Sequence, residues 1–217
     1  PGGGTAGIRQ GRVYVEAGHD YDGVVWVNVE EGAPSLTFRV RTADGAVLAE
    51  ATLEAGPEWQ AAPYSFAIEA TDTLAIVEVE ATGEGVVLVD YVSLMRADIR
   101  ADGMLRPDLV EALRALDPPF LRWPGGSFAS IYRWKDGIGP HVGRAYHPNE
   151  IWGGYSDYYG FGTHEFMELA DRLDTDPMVV LPATTTDPEA VQYAMEWVHY
   201  LLDPPTTEWG RLRAENG

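Results

Sequence analysis

The sequence predicts two architectures in series, an antiparallel β-sandwich followed by an α/β arrangement with parallel strands. Three observations carry this. Apolar residues alternate with a period of two from Gly11 to about Leu94. After Met95 the rhythm changes to alternating helical and strand-like segments. A long aromatic loop, containing Leu-Arg-Trp-Pro-Gly-Gly from residue 121, then interrupts that second pattern. The boundary is placed between residues 96 and 97, giving domains 1–96 and 97–217.

In the first domain, Val13 and Val15 lead into a turn expected at Gly18 to Gly23. Val25, Val27 and Val29 then form one face of a strand whose other face carries Val24, Trp26 and Asn28. Leu36, Phe38 and Val40 repeat the pattern. The turn Thr-Ala-Asp-Gly at 42–45 joins them to Val47–Leu53, and a Gly-Pro-Glu turn at 56–58 precedes Tyr64, Phe66 and Ile68. Leu74–Glu80 and Val86–Leu94 complete about seven strands at the spacing of a sandwich. Trp26 and Trp59 are the aromatics here with the shape of a sugar platform; Trp26, on an alternating strand, reads as core.

In the second domain, residues 106–116 open with a proline suited to a first helical turn and align Leu109, Ala112, Leu113 and Leu116. A strand at 120–123 follows. A helix begins near Thr163 with Phe166, Ala170 and Leu173 on one stripe, and a second strand covers 178–181. Asp187 and Pro188 then cap a helix with Val191, Ala194, Met195, Val198 and Leu202 facing inward, stopped by Asp-Pro-Pro at 203–205. Two parallel strands do not make a covered sheet, so more chain is expected to complete it.

Composition narrows the partners. The 217 residues carry 34 acidic against 15 basic side chains, a net charge of −19, which repels a phosphate backbone and argues against nucleic acid. No run approaches the ~18 apolar residues of a membrane span. The absence of cysteine removes disulfides and thiolate chemistry but leaves the compartment undetermined. The opening PGGGTAGIRQ has no basic start, apolar run or initiator methionine, so the chain is expected to begin inside a longer protein.

The connection from Pro124 to Gly162 far exceeds the ~2–6 residues of an ordinary βα loop. It leaves the carboxyl end of a strand, the edge at which α/β folds place their sites. It carries Tyr132, Trp134, Tyr146, Trp152, Tyr155, Tyr158 and Tyr159, among which Trp134, Trp152 and Tyr155 are candidate binding residues. Aromatic faces beside a few hydrogen-bonding groups suit a sugar ring, and a neutral ligand suits the acidic surface. Gly125 and Gly126 fit no phosphate-loop pattern and serve to bend the chain past the strand. His141, His147 and His164 match no metal-ligand spacing, so no metal and no cofactor is expected.

The stretch Leu-Arg-Trp-Pro-Gly-Gly (121–126) with Tyr-Arg-Trp-Lys-Asp-Gly-Ile-Gly-Pro (132–140) resembles glycoside hydrolase family 51, the α-L-arabinofuranosidases. Gly-Phe-Gly-Thr-His-Glu-Phe (160–166) and residues 206–217 are similar to further family segments, and residues 7–94 resemble a carbohydrate-binding, jelly-roll β-sandwich carried by some members. The resemblance implies a partial (β/α)8 TIM barrel after the sandwich, and a retaining hydrolase acting on terminal arabinofuranosyl residues of arabinoxylan or arabinan. It also implies substrate-binding roles for Arg122 and Trp152, with Ser127 where the family often has asparagine. A second family asparagine is replaced around Pro182 and Ala183. These departures keep a β-glucanase or xylanase open, as well as a non-catalytic carbohydrate-binding module attached to a barrel remnant.

A retaining glycosidase needs two carboxyl groups ~5–5.5 Å apart. Asp136, Glu150, Asp157 and Glu165 lie in the loop or at a helix start, where solvation and the helix dipole account for them. No catalytic residue is therefore assigned in this chain; the resemblance implies that both glutamates lie beyond residue 217. The expected partners are a plant polysaccharide or oligosaccharide, the remainder of the same barrel, and a second copy of the chain.

Overall fold

The computed structural model describes residues 4–182 and 186–217. Ala183 lies outside the described residues. The chain divides into two compact units, 1–104 and 105–217.

The first unit contains β1 (Gly4–Val15), β2 (His19–Gly32), β3 (Ser35–Arg41), β4 (Val47–Leu53), β5 (Gln60–Ile68), β6 (Asp72–Gly83), β7 (Gly85–Arg96) and a short helix α1 (Ala97–Ala101). The strands form two antiparallel sheets, ordered β1-β6-β3-β4 and β5-β2-β7. Their inward faces share one core, in which Val15, Val25, Val27, Phe38, Val40 and Ile68 are 0% exposed. This is the predicted sandwich, and its cause is the predicted one: every second residue is apolar and finds a partner on the opposite sheet.

Three details differ from the sequence pattern. β1 begins at Gly4, because residues 4–10 pair with β6 from Gly4↔Gly83 to Gln10↔Val77 despite their glycines. Gly23 lies inside β2 rather than in a turn. A Cβ there would come within 1.9 Å of the Ser93 carbonyl and 2.4 Å of the Tyr64 hydroxyl, so only glycine lets these strands close. Trp26 is not core. Its neighbours Val25 and Val27 are fully buried, so alternation turns the half-buried indole to the outer face.

The unit boundary falls after Met104 rather than after residue 96. Helix α1 packs on β2 and β7, and its Arg100 reaches back to the Asp22 carboxylate and, at 2.9 Å, to Ser93 Oγ.

The second unit contains α2 (Pro107–Arg114), β8 (Phe120–Trp123), β9 (Tyr146–Pro148), β10 (Ser156–Tyr158), α3 (Thr163–Leu173), β11 (Asp176–Val179), α4 (Pro188–Leu202) and α5 (Glu208–Glu215). β8 and β11 are parallel, with Arg122 opposite Met178 and Trp123 opposite Val179. The expected strand at 178–181 thus sits two residues earlier. α3 buries Phe166, Ala170 and Leu173 as expected, and Asp187 caps α4 by accepting from Glu189 N.

The buried faces of the flanking helices are only in part the expected ones: Ala194 is buried as expected, but most of its predicted companions are not. On α4 the inward residues are Ala194, Trp197 and Tyr200, while Val191, Met195 and Leu202 are 47%, 46% and 77% exposed. The two rings bring far more apolar area than the aliphatic stripe and set the rotation of the helix. On α2, Val110 is buried while Leu109 and Leu116 are 51% and 74% exposed. Phe120 and Met178, on the strand face turned away from Trp123, are also about half exposed. The second unit therefore leaves apolar surface uncovered on one sheet face and on two helices.

Candidate functional site

The loop after β8 is a built structure. Gly125, at φ +120°, turns the chain out of the strand, and three short 3₁₀ turns follow at Ser127–Ser130, Trp134–Gly137 and His141–Gly143. The hairpin β9–β10 then projects a turn between Pro148 and Ser156.

Three of the loop's aromatics, Tyr132, Trp134 and Tyr159, form a core. Trp134 is 0% exposed, donates from Nε1 to the Tyr193 carbonyl at 3.0 Å, and is surrounded by Tyr193, Trp197, Tyr200 and Trp209. Tyr132 and Tyr159 are 4% exposed and pack on each other at 4.9 Å between ring centres. Burial pushes the pKa of both phenols up. Trp134 thus has no free face for a ligand. The expectation of a sugar platform there gives way to a packing role, because the loop needs an interior of its own.

One guanidinium holds that interior in register. Arg144, 7% exposed, donates to Glu165 through Nη1–Oε2 at 2.9 Å and Nη2–Oε1 at 2.8 Å. It also reaches the carbonyls of Gly139, Tyr159 and Gly160 at 2.9–3.2 Å. Glu165 accepts the Gly162 amide at 2.8 Å, closing the first turn of α3. Burial raises its carboxyl pKa, but the Arg144 and Gly162 hydrogen bonds and the Arg144 charge outweigh this and leave it lowered.

Asn149 does the same for the hairpin tip. It is 4% exposed, donates from Nδ2 to Asp157 at 2.8 Å, accepts the Trp152 amide on Oδ1 at 2.9 Å, and is bonded through its backbone to Tyr155 and Gly154. The turn it holds presents Trp152 and Tyr155, 60% and 56% exposed. Arg122 is exposed near the carboxyl end of β8, and Ser127 is exposed at the first 3₁₀ turn. Of the five sequence-predicted residues, Trp152 and Tyr155 share one turn, Arg122 and Ser127 lie at the end of β8, and Trp134 belongs to the core.

The three histidines take separate partners. His141 meets the Gly160 carbonyl at 3.0 Å, His147 the Asp136 carboxylate at 2.8 Å and His164 the Tyr200 hydroxyl at 2.6 Å. The loop acids are equally committed: Asp136 to His147, Asp157 to Asn149 and Glu165 to Arg144. Specific hydrogen bonds, rather than solvation or the helix dipole alone, account for these three. A cavity of about 680 Å³ opens between the loop and the start of α4, lined by Arg133, Lys135, Asp136, His147, Tyr159 and Tyr193 among others. None of the five predicted residues lines it.

Residues 112–217 match the Alpha-L-arabinofuranosidase 1 domain. This stretch is similar to the α-L-arabinofuranosidases. Similar proteins include an intracellular exo-alpha-L-arabinofuranosidase of Bacteroides ovatus, 39% identical over 52% of this chain and 21% of its own length. An extracellular exo-alpha-L-arabinofuranosidase of Streptomyces chartreusis is 30% identical over 98% of this chain and 29% of its own length, an alignment that runs through both units. Among solved structures, the GH51 arabinofuranosidase of Xanthomonas axonopodis pv. citri is 37% identical over 52% of this chain and 22% of that one, with a TM-score of 0.47. The chain thus spans under a third of the length of these relatives.

Within the arabinofuranosidase segment, Arg144 and Asn149 were not foreseen. A single arginine amid Gly, Pro and aromatic residues is a signal for the first, since a cation there must find a partner when the loop folds. An asparagine before an Ile-Trp-Gly-Gly turn is a weaker signal for the second.

Proposed function

We propose that residues 105–217 form the opening part of a (β/α)8 barrel in a retaining glycoside hydrolase that releases terminal α-L-arabinofuranosyl residues from plant polysaccharides. One observation carries this reading. The family match falls on a loop that leaves the carboxyl end of β8, where Arg122 is exposed, and that displays Trp152 and Tyr155 on a turn fixed by Asn149.

In this account Arg122 and Ser127 hydrogen-bond sugar hydroxyls, while Trp152 and Tyr155 take the apolar side of the ring. Trp134 instead packs the interior of the loop against α4 and α5. The uncovered faces of β8, β11, α2 and α4 are where the rest of the barrel packs. The loop carboxylates Asp136, Asp157 and Glu165 are engaged by His147, Asn149 and Arg144, and we assign the reacting pair to none of them.

The test is a product assay on arabinoxylan and barley β-glucan, with the 217-residue chain alone and within the longer protein. Free arabinose released from arabinoxylan by the longer protein and no hydrolysis by the chain alone are expected. Glucan cleavage without arabinose release would favour the glucanase alternative, to which Ser127 points.

A further inference from the structure

The sandwich is closed along one side and open along the other. β4 and β5, one edge of each sheet, pack against each other. The opposite edges are β1 and β7; the sheet ending in β1 has four strands and the sheet ending in β7 has three. Between these edges lies a cleft of about 280 Å³, lined only by glycine, alanine, proline and aliphatic side chains, among them Ile8, Leu36, Val79, Val87 and Val89.

The register makes these core positions without a cover. Ile8 lies opposite Val79 and Ala6 opposite Ala81. Directly paired residues share a sheet face, so Ile8 points inward with Val79. Yet Val79 is 5% exposed and Ile8 54%. On β7, Val89 lies opposite Val27 and, past the bulge that holds Asp90 and Tyr91, Val92 lies opposite Val25. Val25 and Val27 are fully buried, whereas Val89 is half-buried and Val92 is 38% exposed. Ile8 and Val92 are thus inward residues that no strand covers among the described residues.

We propose that an extended strand of the longer polypeptide, the segment leading into Gly4, pairs with the free edge of β7 and completes the sandwich. The lining has no hydrogen-bonding side chain, so it suits the alternate aliphatic side chains of a strand and not a sugar or an ion. The edge of β7 turned away from β2 offers a row of backbone groups that a neighbouring strand satisfies. Direction fits as well. Gly4 lies opposite Gly83 at the end of β6, and Gly85 opens β7 just after it, so β1 and β7 start at the same end. A segment that reaches Gly4 from alongside β7 therefore runs antiparallel to β7 and lies over Ala6 and Ile8. The net charge of −19 opposes a second copy in its place. The proposal shares with the functional reading only the premise of a longer polypeptide and uses none of its sugar chemistry.

Thiol labelling tests it, because the chain contains no cysteine of its own. Ile8→Cys and Val92→Cys are compared in the 217-residue chain and in the longer protein, with Leu88→Cys, on the outer face of β7 opposite Asn28, as the control. Peptide mapping locates the label, and far-UV circular dichroism establishes that each variant is folded. Both inward sites are expected to react with iodoacetamide roughly tenfold more slowly in the longer protein, while Leu88→Cys reacts alike in both. Hydrogen exchange needs no substitution and is expected to show the amides of Val87 to Val92 slowed in the longer protein. Equal labelling of the inward sites, or equal exchange along β7, in the two contexts would overturn the proposal. So would protection that survives removal of the segment before residue 1 from the longer protein, which would assign the cleft to another part of it. Protection that grows with the concentration of the 217-residue chain alone would assign it to a second copy, and would equally sink the idea.

Discussion

Arg144 and Glu165 meet through two parallel hydrogen bonds of 2.9 and 2.8 Å, with only 3% and 13% of their side chains exposed. The pair joins the middle of the long loop to the first turn of α3, and the same guanidinium gathers three loop carbonyls. Removing one partner of a buried ion pair strands the other. Arg144→Ala is therefore expected to destabilise the second unit by about 3–5 kcal/mol, measured by urea unfolding of the chain. Arg144→Lys is expected to recover only part of this, because an ammonium cannot fork.

Acid is expected to loosen the same region in two steps. Burial lowers the pKa of His164, so the folded state binds fewer protons than the unfolded one; its contribution is full above the ordinary value of about 6.5 and falls as pH drops below it. The Glu165 pKa is also lowered, so the stability it contributes is full above the ordinary carboxylate range near 4.3 and is lost as pH falls through its folded value. The melting temperature should decline from neutrality into mild acid and again below about pH 4.3. His164→Gln should erase the first decline and spare the second. A melting temperature unchanged between pH 7 and 5 in the unaltered chain would refute the His164 assignment.

Two tryptophans of one loop should behave in opposite ways. Trp134, enclosed by four aromatic rings, is expected to cost about 3–5 kcal/mol when replaced by alanine. Trp152, mostly exposed on its turn, should change stability by no more than about 0.5 kcal/mol. Paired denaturant curves of Trp134→Ala and Trp152→Ala measure the contrast, and similar losses in both would show that the division between core and display is misdrawn.

Strand and helix positions were legible where one periodicity dominated. The inward residues of β2, β3 and β5 and the Phe166–Ala170–Leu173 stripe follow directly from alternation and helical spacing. The buried faces of α2 and α4 were legible only in part. Both helices have apolar residues on more than one side, and Trp197 and Tyr200 win because Trp134, far away in sequence, offers them rings to pack on. The half of β1 before Gly11 was hidden by its glycines, and only its pairing with β6 makes it a strand. In the site, Arg122 and Trp152 came from the family resemblance, and the loop's aromatic composition alone did not separate exposed Tyr155 from buried Trp134. The supports were not legible, because Arg144 and Asn149 act through backbone carbonyls and amides that carry no sequence signature.

The central claim is that Arg122 and Trp152 serve one sugar. Nitrogen-15 NMR of the 217-residue chain, titrated with an arabinofuranosyl oligosaccharide and following the Trp152 indole N–H, addresses it most directly. The account predicts that this resonance moves with saturable dependence on the sugar and that Arg122→Ala, while folded, suppresses the movement. An indole signal that stays fixed, or that responds equally well without the Arg122 guanidinium, would contradict it.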